Sequence, residues 1–163
     1  MRIAVIADTH MPRGGRTLPD PCLELLRSAD LVLHAGDVVS AAFLEELRAV
    51  GPPLEAVHGN MDEPALKATL PEERIVEAGG ARIGMVHIPG PAAGHAERLS
   101  RRFPGCDAIV YGHTHVPEVT RLGAVWILNP GSPTERRTAR GHAMLSLLVE
   151  GGEIDPELVW LDP

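Results

Sequence analysis

Polar residues of the types that bind metals follow several short apolar segments of this sequence. Three carry carboxylate or amide oxygens and four are histidines, namely Asp8, Asp37, Asn60, His10, His87, His113 and His115. Imidazole nitrogens mixed with hard oxygen ligands suit divalent manganese, iron, zinc or nickel. The set contains no cysteine, which argues against a structural zinc site. Seven donors are too many for one tetrahedral ion and suit two ions that share a carboxylate and keep positions open for water or substrate.

Strand-like segments precede these residues and are expected to bring them together. Residues 31–33 are three apolar β-formers typical of a strand covered on both faces, and a glycine then allows a tight turn before Asp37. Asp8 and His10 follow the apolar run Arg2–Ile6, and their spacing of two places both side chains on one side. α/β folds keep their chemistry at the carboxyl ends of strands. We therefore predict a shared site at these strand ends.

The order of the predicted elements indicates the fold class. The first part of the chain alternates strands and helices, with Asp20 expected to cap the first helix and Ser40 the second. Right-handed crossovers between such strands give a parallel sheet. The second part is predicted to hold a helix over 94–103 and mostly antiparallel strands at 74–77, 81–87, 108–111, 119–122, 124–128, 143–149 and 158–161. We predict an α/β fold of two packed sheets flanked by helices.

Composition limits the classes of function. The 163 residues, 44% of them hydrophobic, have the size of one domain, predicted to span 1–163. The net charge of −7, without a block of five or six like charges, makes nucleic-acid binding and a polybasic membrane surface unexpected. Cys22 and Cys106 are far apart in the chain and give no disulfide framework. The sequence contains no long apolar run, so neither a signal peptide nor a membrane span is indicated. We expect a cytoplasmic protein, and homo-oligomerisation stays open.

Five short motifs, in order along the chain, resemble the signature of calcineurin-like metallophosphoesterases. They are Asp8-Thr9-His10, Gly36-Asp37, Gly59-Asn60, His87 and Gly112-His113-Thr114-His115, and together they cover nearly the whole chain. The short length, the sequence Gly59-Asn60-Met61-Asp62 and the late Asn129-Pro130-Gly131-Ser132 make the chain most similar to small YfcE-type phosphodiesterases. That compact group includes the retromer subunit, whose metal site has diverged.

The resemblance implies a ligand set, a fold and a mechanism. The fold would be a sandwich of two mixed sheets between helices. Asp8, His10 and His115 would hold one divalent ion, Asn60, His87 and His113 the other, and Asp37 would bridge them. Manganese is the expected metal, with iron, zinc or nickel as alternatives. Asp37 and Asn60 would serve catalysis through a metal-bound hydroxide that attacks the phosphorus of a small phosphodiester.

Met61 departs from the wider superfamily. Many phosphomonoesterases have Gly-Asn-His here and use the histidine near the leaving group, whereas a thioether donates no proton. We therefore expect weak activity on alkyl monoesters and better hydrolysis of diesters. A nucleoside polyphosphate hydrolase or phosphomonoesterase is the neighbouring enzyme class. A protein-binding scaffold with a vestigial metal site is the alternative from another class.

Several residues near the motifs carry less specific expectations. Arg13 and Arg16 either grip phosphate oxygens or are solvated loop residues. His34 and His58 either orient metal ligands or are buried, hydrogen-bonded histidines. Ile88, where many relatives have glycine, bears on the shape of the loop that follows.

Further expectations concern residues outside the ligand set. Asp62 either shapes the Asn60 turn or caps the helix after Glu63, and the cap is preferred. Asn129 either braces a ligand or simply belongs to a Pro-Gly turn. His95 and His142 are assigned to surface or loop positions.

Overall fold

A computed structural model describes residues 1–162 of the chain. The first half alternates strands and helices in the order β1 (Arg2–Ile6), α1 (Asp20–Ser28), β2 (Leu31–His34), α2 (Ala41–Arg48), β3 (Leu54–Ala56) and α3 (Pro64–Thr69). The remainder contains β4 (Glu73–Ala78), β5 (Ala81–Val86), α4 (His95–Arg102), β6 (Ala108–Tyr111), β7 (Glu118–Leu122), β8 (Val125–Asn129), β9 (Ala143–Glu150) and β10 (Glu153–Trp160). A short 3₁₀ turn at Arg13–Gly15 lies between β1 and α1.

The strands form two five-stranded mixed sheets. The first has the order β10-β9-β1-β2-β3, in which β1, β2 and β3 are parallel and β9 and β10 are antiparallel additions. The second has the order β4-β5-β6-β8-β7, in which β5, β6 and β8 are parallel. Helical crossovers connect the parallel neighbours in the first sheet, as right-handed βαβ units require. The predicted α/β fold of two sheets flanked by helices is confirmed, and both sheets are mixed.

Alternation along the strands divides the core into layers. Ile3 and Val5 of β1 face the second sheet, whereas Ala4 and Ile6 face α1 and α2. Because successive strand residues point to opposite faces, one strand serves two cores. On the far side of the second sheet, Leu99 of α4 and its neighbours pack in a third cluster. The sandwich is thus covered by helices on both outer faces.

Of the two helix caps expected from the sequence, Ser40 is confirmed and Asp20 is not. Ser40 caps α2, since its Oγ accepts a hydrogen bond from Phe43 N at 3.2 Å. Asp20 as a cap is wrong: the N–H of Leu23 donates to the carbonyl of Pro19, so the helix already begins at Asp20. Within residues 1–162, no helix has the length and apolar character needed to cross a membrane.

The last strand is longer than the sequence pattern indicates. It was predicted at 158–161, but β10 spans Glu153–Trp160 and pairs with β9 along its whole length. The strand lies at the sheet edge, alternates exposed with partly buried residues and contains Pro156. Proline is tolerated on edge strands, and the polar residues of such an edge conceal it in a hydrophobicity pattern.

Candidate metal centre

The seven residues singled out from the sequence lie at strand carboxyl ends along one edge of the sandwich, and we call them the cluster. From the first sheet, Asp8 and His10 follow β1, Asp37 follows β2, and Asn60 follows β3; from the second sheet, His87 follows β5, and His113 and His115 follow β6. The two sheets are joined there by a hydrogen bond from His113 N to Asp8 Oδ2 of 2.9 Å. The cluster therefore bridges the two halves of the fold.

Five cluster residues have the left-handed backbone conformation that non-glycine residues rarely adopt. Their φ values are 55° at Asp8, 48° at His10, 57° at Asp37, 73° at His113 and 60° at His115. Such a conformation costs about 1–3 kcal/mol for each residue and is found mainly at functional sites. Main-chain hydrogen bonds from Asp8 N to Gly36 O and from His10 N to Asp37 O hold the first two turns in place.

One group of cluster side chains consists of Asp8, His10 and His115, all buried. Asp8 Oδ1 lies 3.7 Å from His10 Nε2 and 3.3 Å from His115 Nε2. These three atoms are buried and find no hydrogen-bond partner among residues 1–162. Buried polar atoms are almost always satisfied in native proteins, so three facing orphans call for a shared partner. A divalent cation fits this donor set of one carboxylate oxygen and two imidazole nitrogens.

Asp37 joins this group to a second one. Asp37 Oδ2 lies 3.5 Å from His10 Nε2 and 3.3 Å from His87 Nε2. Asp8, Asp37 and His87 also place their ligand atoms within 4.8 Å of one another. On the outer side, Asn60 Oδ1 lies 3.2 Å from His87 Nε2 and 3.0 Å from His113 Nδ1. The structure thus brings all seven predicted residues together, with the Asp37 carboxylate between the two groups.

Second hydrogen bonds orient the imidazole rings. Nδ1 of His87 lies 2.8 Å from the carbonyl oxygen of Ala35, and Nδ1 of His115 lies 2.7 Å from that of Glu135. With Nδ1–H donating to a carbonyl, the Nε2 lone pair of each ring is free to bind a cation. This arrangement is the one usually found for histidine ligands of metals.

Charges within the cluster already favour ionised carboxylates. Burial alone would raise the pKa of Asp8, but the attraction of the neighbouring His10 and His115 rings outweighs it and holds that pKa well below its ordinary value. For Asp37, burial again opposes ionisation, and the interaction with His87 lowers the pKa overall. The pKa of His87 is raised because the attraction of Asp37 exceeds the cost of burying the charge. Both carboxylates are therefore anionic at neutral pH.

Two glycines allow the loops of the cluster to approach each other closely. A side chain at Gly36, whose φ is +90°, would place its Cβ 2.7 Å from Cβ of His87. A side chain at Gly59 would overlap the Asp37 carboxylate and come within 2.5 Å of Asp37 N. Only glycine leaves room for these contacts.

Asp62 has a different role from the one preferred on sequence grounds. Its Oδ2 accepts from Gly59 N at 2.6 Å and its Oδ1 from Val39 N at 2.5 Å, so it ties the Asp37 and Asn60 turns together. The prediction that Asp62 caps the following helix is wrong, because α3 begins at Pro64 after Glu63, without a side-chain cap. The glycine three residues before Asp62 was the available signal for a side-chain-to-backbone turn.

Replacing Asp62 with alanine is expected to lower the free energy of unfolding by about 3 kcal/mol, since two backbone donors lose a charged acceptor. It should also weaken metal binding, because the Asn60 turn is released. Urea denaturation and metal analysis measure the two effects. Asp62→Asn, which retains one acceptor oxygen, should be intermediate. Unchanged stability of Asp62→Ala would contradict this role.

Asn129 and its neighbours brace the loops that carry the cluster. Asn129 Nδ2 donates to Gly112 O at 3.1 Å and to Thr114 Oγ1 at 3.0 Å, which fixes the loop of His113 and His115. Two hydroxyl residues nearby make contacts that the sequence did not predict. Ser132 Oγ donates to Asp8 O and Thr134 Oγ1 to Thr9 O, both at 2.7 Å. Their only signal was the position of Ser132 after the Pro-Gly turn.

His34 and the loop arginines differ in their relation to the cluster. His34 is fully buried with Nε2 3.0 Å from Thr9 Oγ1, so it supports the residue between Asp8 and His10. Burial lowers the pKa of His34 to about 4, so the ring is neutral. Arg13 is exposed, and Arg16 pairs with Glu135 at 3.5 Å.

The other three histidines lie outside the cluster. His58 is half-buried and lines a cavity next to Asn60. His95 is not a loop residue: it begins α4, and its Nε2 lies 2.8 Å from Glu118 Oε2, an oxygen that also accepts from the Tyr111 hydroxyl. His142 lies directly before β9, and its Nδ1 is 2.7 Å from Asp162 Oδ1.

Comparison with known proteins assigns this chain to one family. The model of the calcineurin-like phosphoesterase superfamily domain matches residues 1–152. The probable metallophosphoesterase of Methanothermobacter thermautotrophicus is 36% identical over 163 aligned residues, covering 98% of this chain and 92% of that relative. The chain therefore belongs to the calcineurin-like phosphoesterase superfamily, as the five motifs predicted.

Solved structures share the whole fold. Vps29 of Entamoeba histolytica, in complex with Zn²⁺, superposes with a TM-score of 0.78 at 24% identity, covering 99% of this chain and 100% of that one. An archaeal phosphodiesterase superposes with a TM-score of 0.76 at 20% identity, covering 98% and 100% of the two chains. At these identities the likeness concerns the fold alone.

Proposed function

We propose that this protein is a phosphodiesterase that uses two divalent metal ions held by the cluster. The observation that carries the proposal is the set of buried, partnerless atoms Asp8 Oδ1, His10 Nε2 and His115 Nε2, of which His10 Nε2 lies 3.5 Å from Asp37 Oδ2. Membership in the phosphoesterase superfamily supports the reaction class. The name of one structural neighbour, an archaeal phosphodiesterase, supports diesters as the substrate.

The distances support the two proposed ion positions. Asp8, His10 and His115 would hold the first ion, and Asn60, His87 and His113 the second. Asp37 Oδ2 lies about equally far from His10 Nε2 and His87 Nε2, at 3.5 and 3.3 Å, which suits a bridge. Manganese is our proposed metal, and iron, zinc or nickel would suit the same donors.

The chain controls the charge of the site. When bound, two divalent ions would supply Lewis acidity toward phosphoryl oxygens and a hydroxide nucleophile at neutral pH. Asp8 and Asp37 are the only carboxylates of the cluster, because the third oxygen donor is the neutral amide of Asn60. The loaded site would therefore keep a net positive charge, which favours a phosphate anion. A carboxylate in place of Asn60 would cancel that charge.

Met61 supports diesters over alkyl monoesters. Its side chain is 38% exposed beside Asn60, while its backbone N–H donates to Asp37 Oδ1 at 2.8 Å. The backbone of this residue thus positions the bridging carboxylate, and the thioether has no proton to give a departing alkoxide. Substrates with a leaving group of low pKa need no such proton.

Purified protein with Mn²⁺ should hydrolyse bis(p-nitrophenyl) phosphate and cleave an alkyl monoester such as glycerol phosphate far more slowly. Met61→His should raise the monoester rate by about 10²-fold, the lower end of general acid catalysis, and change the diester rate little. Steady-state assays of both substrates on both proteins test this. A wild-type protein that prefers the alkyl monoester would refute the argument from Met61.

The scaffold alternative is supported by the structural likeness to Vps29. It predicts a protein that hydrolyses no phosphoester with any of the four metals. The seven-residue cluster favours the enzyme, because a scaffold does not need buried donor atoms that lack partners.

Arg13 and Arg16 stay proposed substrate contacts. Of the two, only Arg13 is exposed and without an ion pair among residues 1–162. A homo-oligomer and a cytoplasmic location also stay predictions.

A further inference from the structure

A cavity of about 220 Å³ opens directly beside the cluster. Its lining includes Asn60 and His87 of the cluster, together with the apolar residues Val86 and Ile88. Ile88 follows the candidate ligand His87 in the chain and is 43% exposed. The volume is below the roughly 300–1,000 Å³ of pockets for drug-sized ligands, so it suits a group the size of one ring system.

Lys67, the only lysine of the chain, lies at this cavity. Its Nζ donates to the main-chain oxygen of Asn60 at 2.8 Å, which holds the ammonium next to a cluster residue. An ammonium has three donors, so two remain for another acceptor. Glu72, which also lines the cavity, forms an ion pair with Arg102.

We propose that the cavity binds one ester group of the phosphodiester substrate and that Lys67 binds a phosphate oxygen at its entrance. The substrate class is thus a diester that carries at least one apolar, ring-sized ester group. This inference rests on the proposed function, since it takes the phosphate to lie at the cluster. It makes Ile88 a specificity-determining residue and Lys67 a substrate-binding residue.

The residues shared by the cavity and the cluster are the main argument for this occupant. A phosphate held next to Asn60 and His87 has its ester oxygens within reach of the cavity, because both residues line both spaces. The apolar side chain of Ile88, which is 43% exposed, gains by covering an apolar group and offers nothing to a bare phosphate. Binding of a ring there would therefore discriminate diesters from inorganic phosphate and from small alkyl esters.

The test compares the binding of diphenyl phosphate and dimethyl phosphate to the Mn²⁺-loaded protein by calorimetry. Both ligands are monoanionic diesters, so they share the charge and differ in the size and apolar surface of the ester groups. We expect diphenyl phosphate to bind at least about tenfold more tightly. Ile88→Ala should remove most of that difference, whereas Ile75→Ala, which changes an equally exposed isoleucine on β4, should leave it intact.

Lys67→Met should weaken the binding of both diesters by a similar factor of about five- to tenfold, and Lys67→Arg should restore most of the lost affinity. The inference would be overturned if the two diesters bound with equal affinity, or if Ile75→Ala had as large an effect as Ile88→Ala. Unchanged binding in Lys67→Met would also overturn it. Since binding is measured directly, a protein that binds both diesters equally yet hydrolyses bis(p-nitrophenyl) phosphate refutes only the cavity assignment. One that binds diphenyl phosphate selectively but hydrolyses no diester refutes only the proposed function.

Discussion

Asp37→Asn is expected to lower the turnover of bis(p-nitrophenyl) phosphate by about 10³-fold or more, comparable to the loss of a major electrostatic element of an active site. It should also lower the metal content from two ions toward none. The reason is the position of Oδ2, 3.5 Å from His10 Nε2 and 3.3 Å from His87 Nε2. An amide has one oxygen and no negative charge, so it bridges two cations poorly.

The Asp37→Asn variant should still fold. The asparagine has the same shape as the aspartate and can retain an oxygen acceptor for the N–H of Met61. Metal analysis after dialysis and steady-state kinetics measure the two effects. Asp155→Asn, an exposed position on β10, is the matched control and should behave as wild type. A two-ion content and normal turnover in Asp37→Asn would contradict the bridging role.

Removal of metal is expected to lower the melting temperature by roughly 10–20 °C. Each ion present at 100 times its dissociation constant adds about 2.7 kcal/mol of stability. For a chain of this size each kcal/mol corresponds to about 2–4 °C. The structural basis is that a cation would give partners to Asp8 Oδ1, His10 Nε2 and His115 Nε2, which the surrounding residues leave unsatisfied.

Scanning calorimetry of chelator-treated and Mn²⁺-reloaded protein measures this effect. The stabilisation by Mn²⁺ should largely vanish in Asp37→Asn, which separates specific binding from a general effect of the salt. A shift of less than about 2 °C on reloading the wild-type protein would be inconsistent with two bound ions. The left-handed conformations at five cluster residues would then need another explanation.

The cluster could be predicted because its residues follow a rule that is visible in one dimension. Each comes just after an apolar strand segment, and parallel strands bring their carboxyl ends to one edge. Asp8 and Asp37 illustrate this: they lie far apart in the chain, and neighbouring parallel strands bring them to the same site. The fold class followed from the same alternation of elements.

Contacts that depend on three-dimensional packing could not be predicted. Asp62 precedes a proline-initiated helix, so a cap and a turn bridge look alike in sequence, and only its bonds to Val39 N and Gly59 N distinguish them. Ser132 and Thr134 reach the loop after β1 across more than a hundred residues. Lys67 acquires its place only when α3 packs beside the Asn60 turn.

Stepwise reconstitution tests the central claim most directly. Metal-free protein is titrated with Mn²⁺ while the turnover of bis(p-nitrophenyl) phosphate and the bound metal are followed together. If two ions act jointly through Asp37, activity should stay low until the second equivalent binds and reach its plateau at two ions per chain. Full activity at one equivalent, or none at two, would contradict a dinuclear phosphodiesterase.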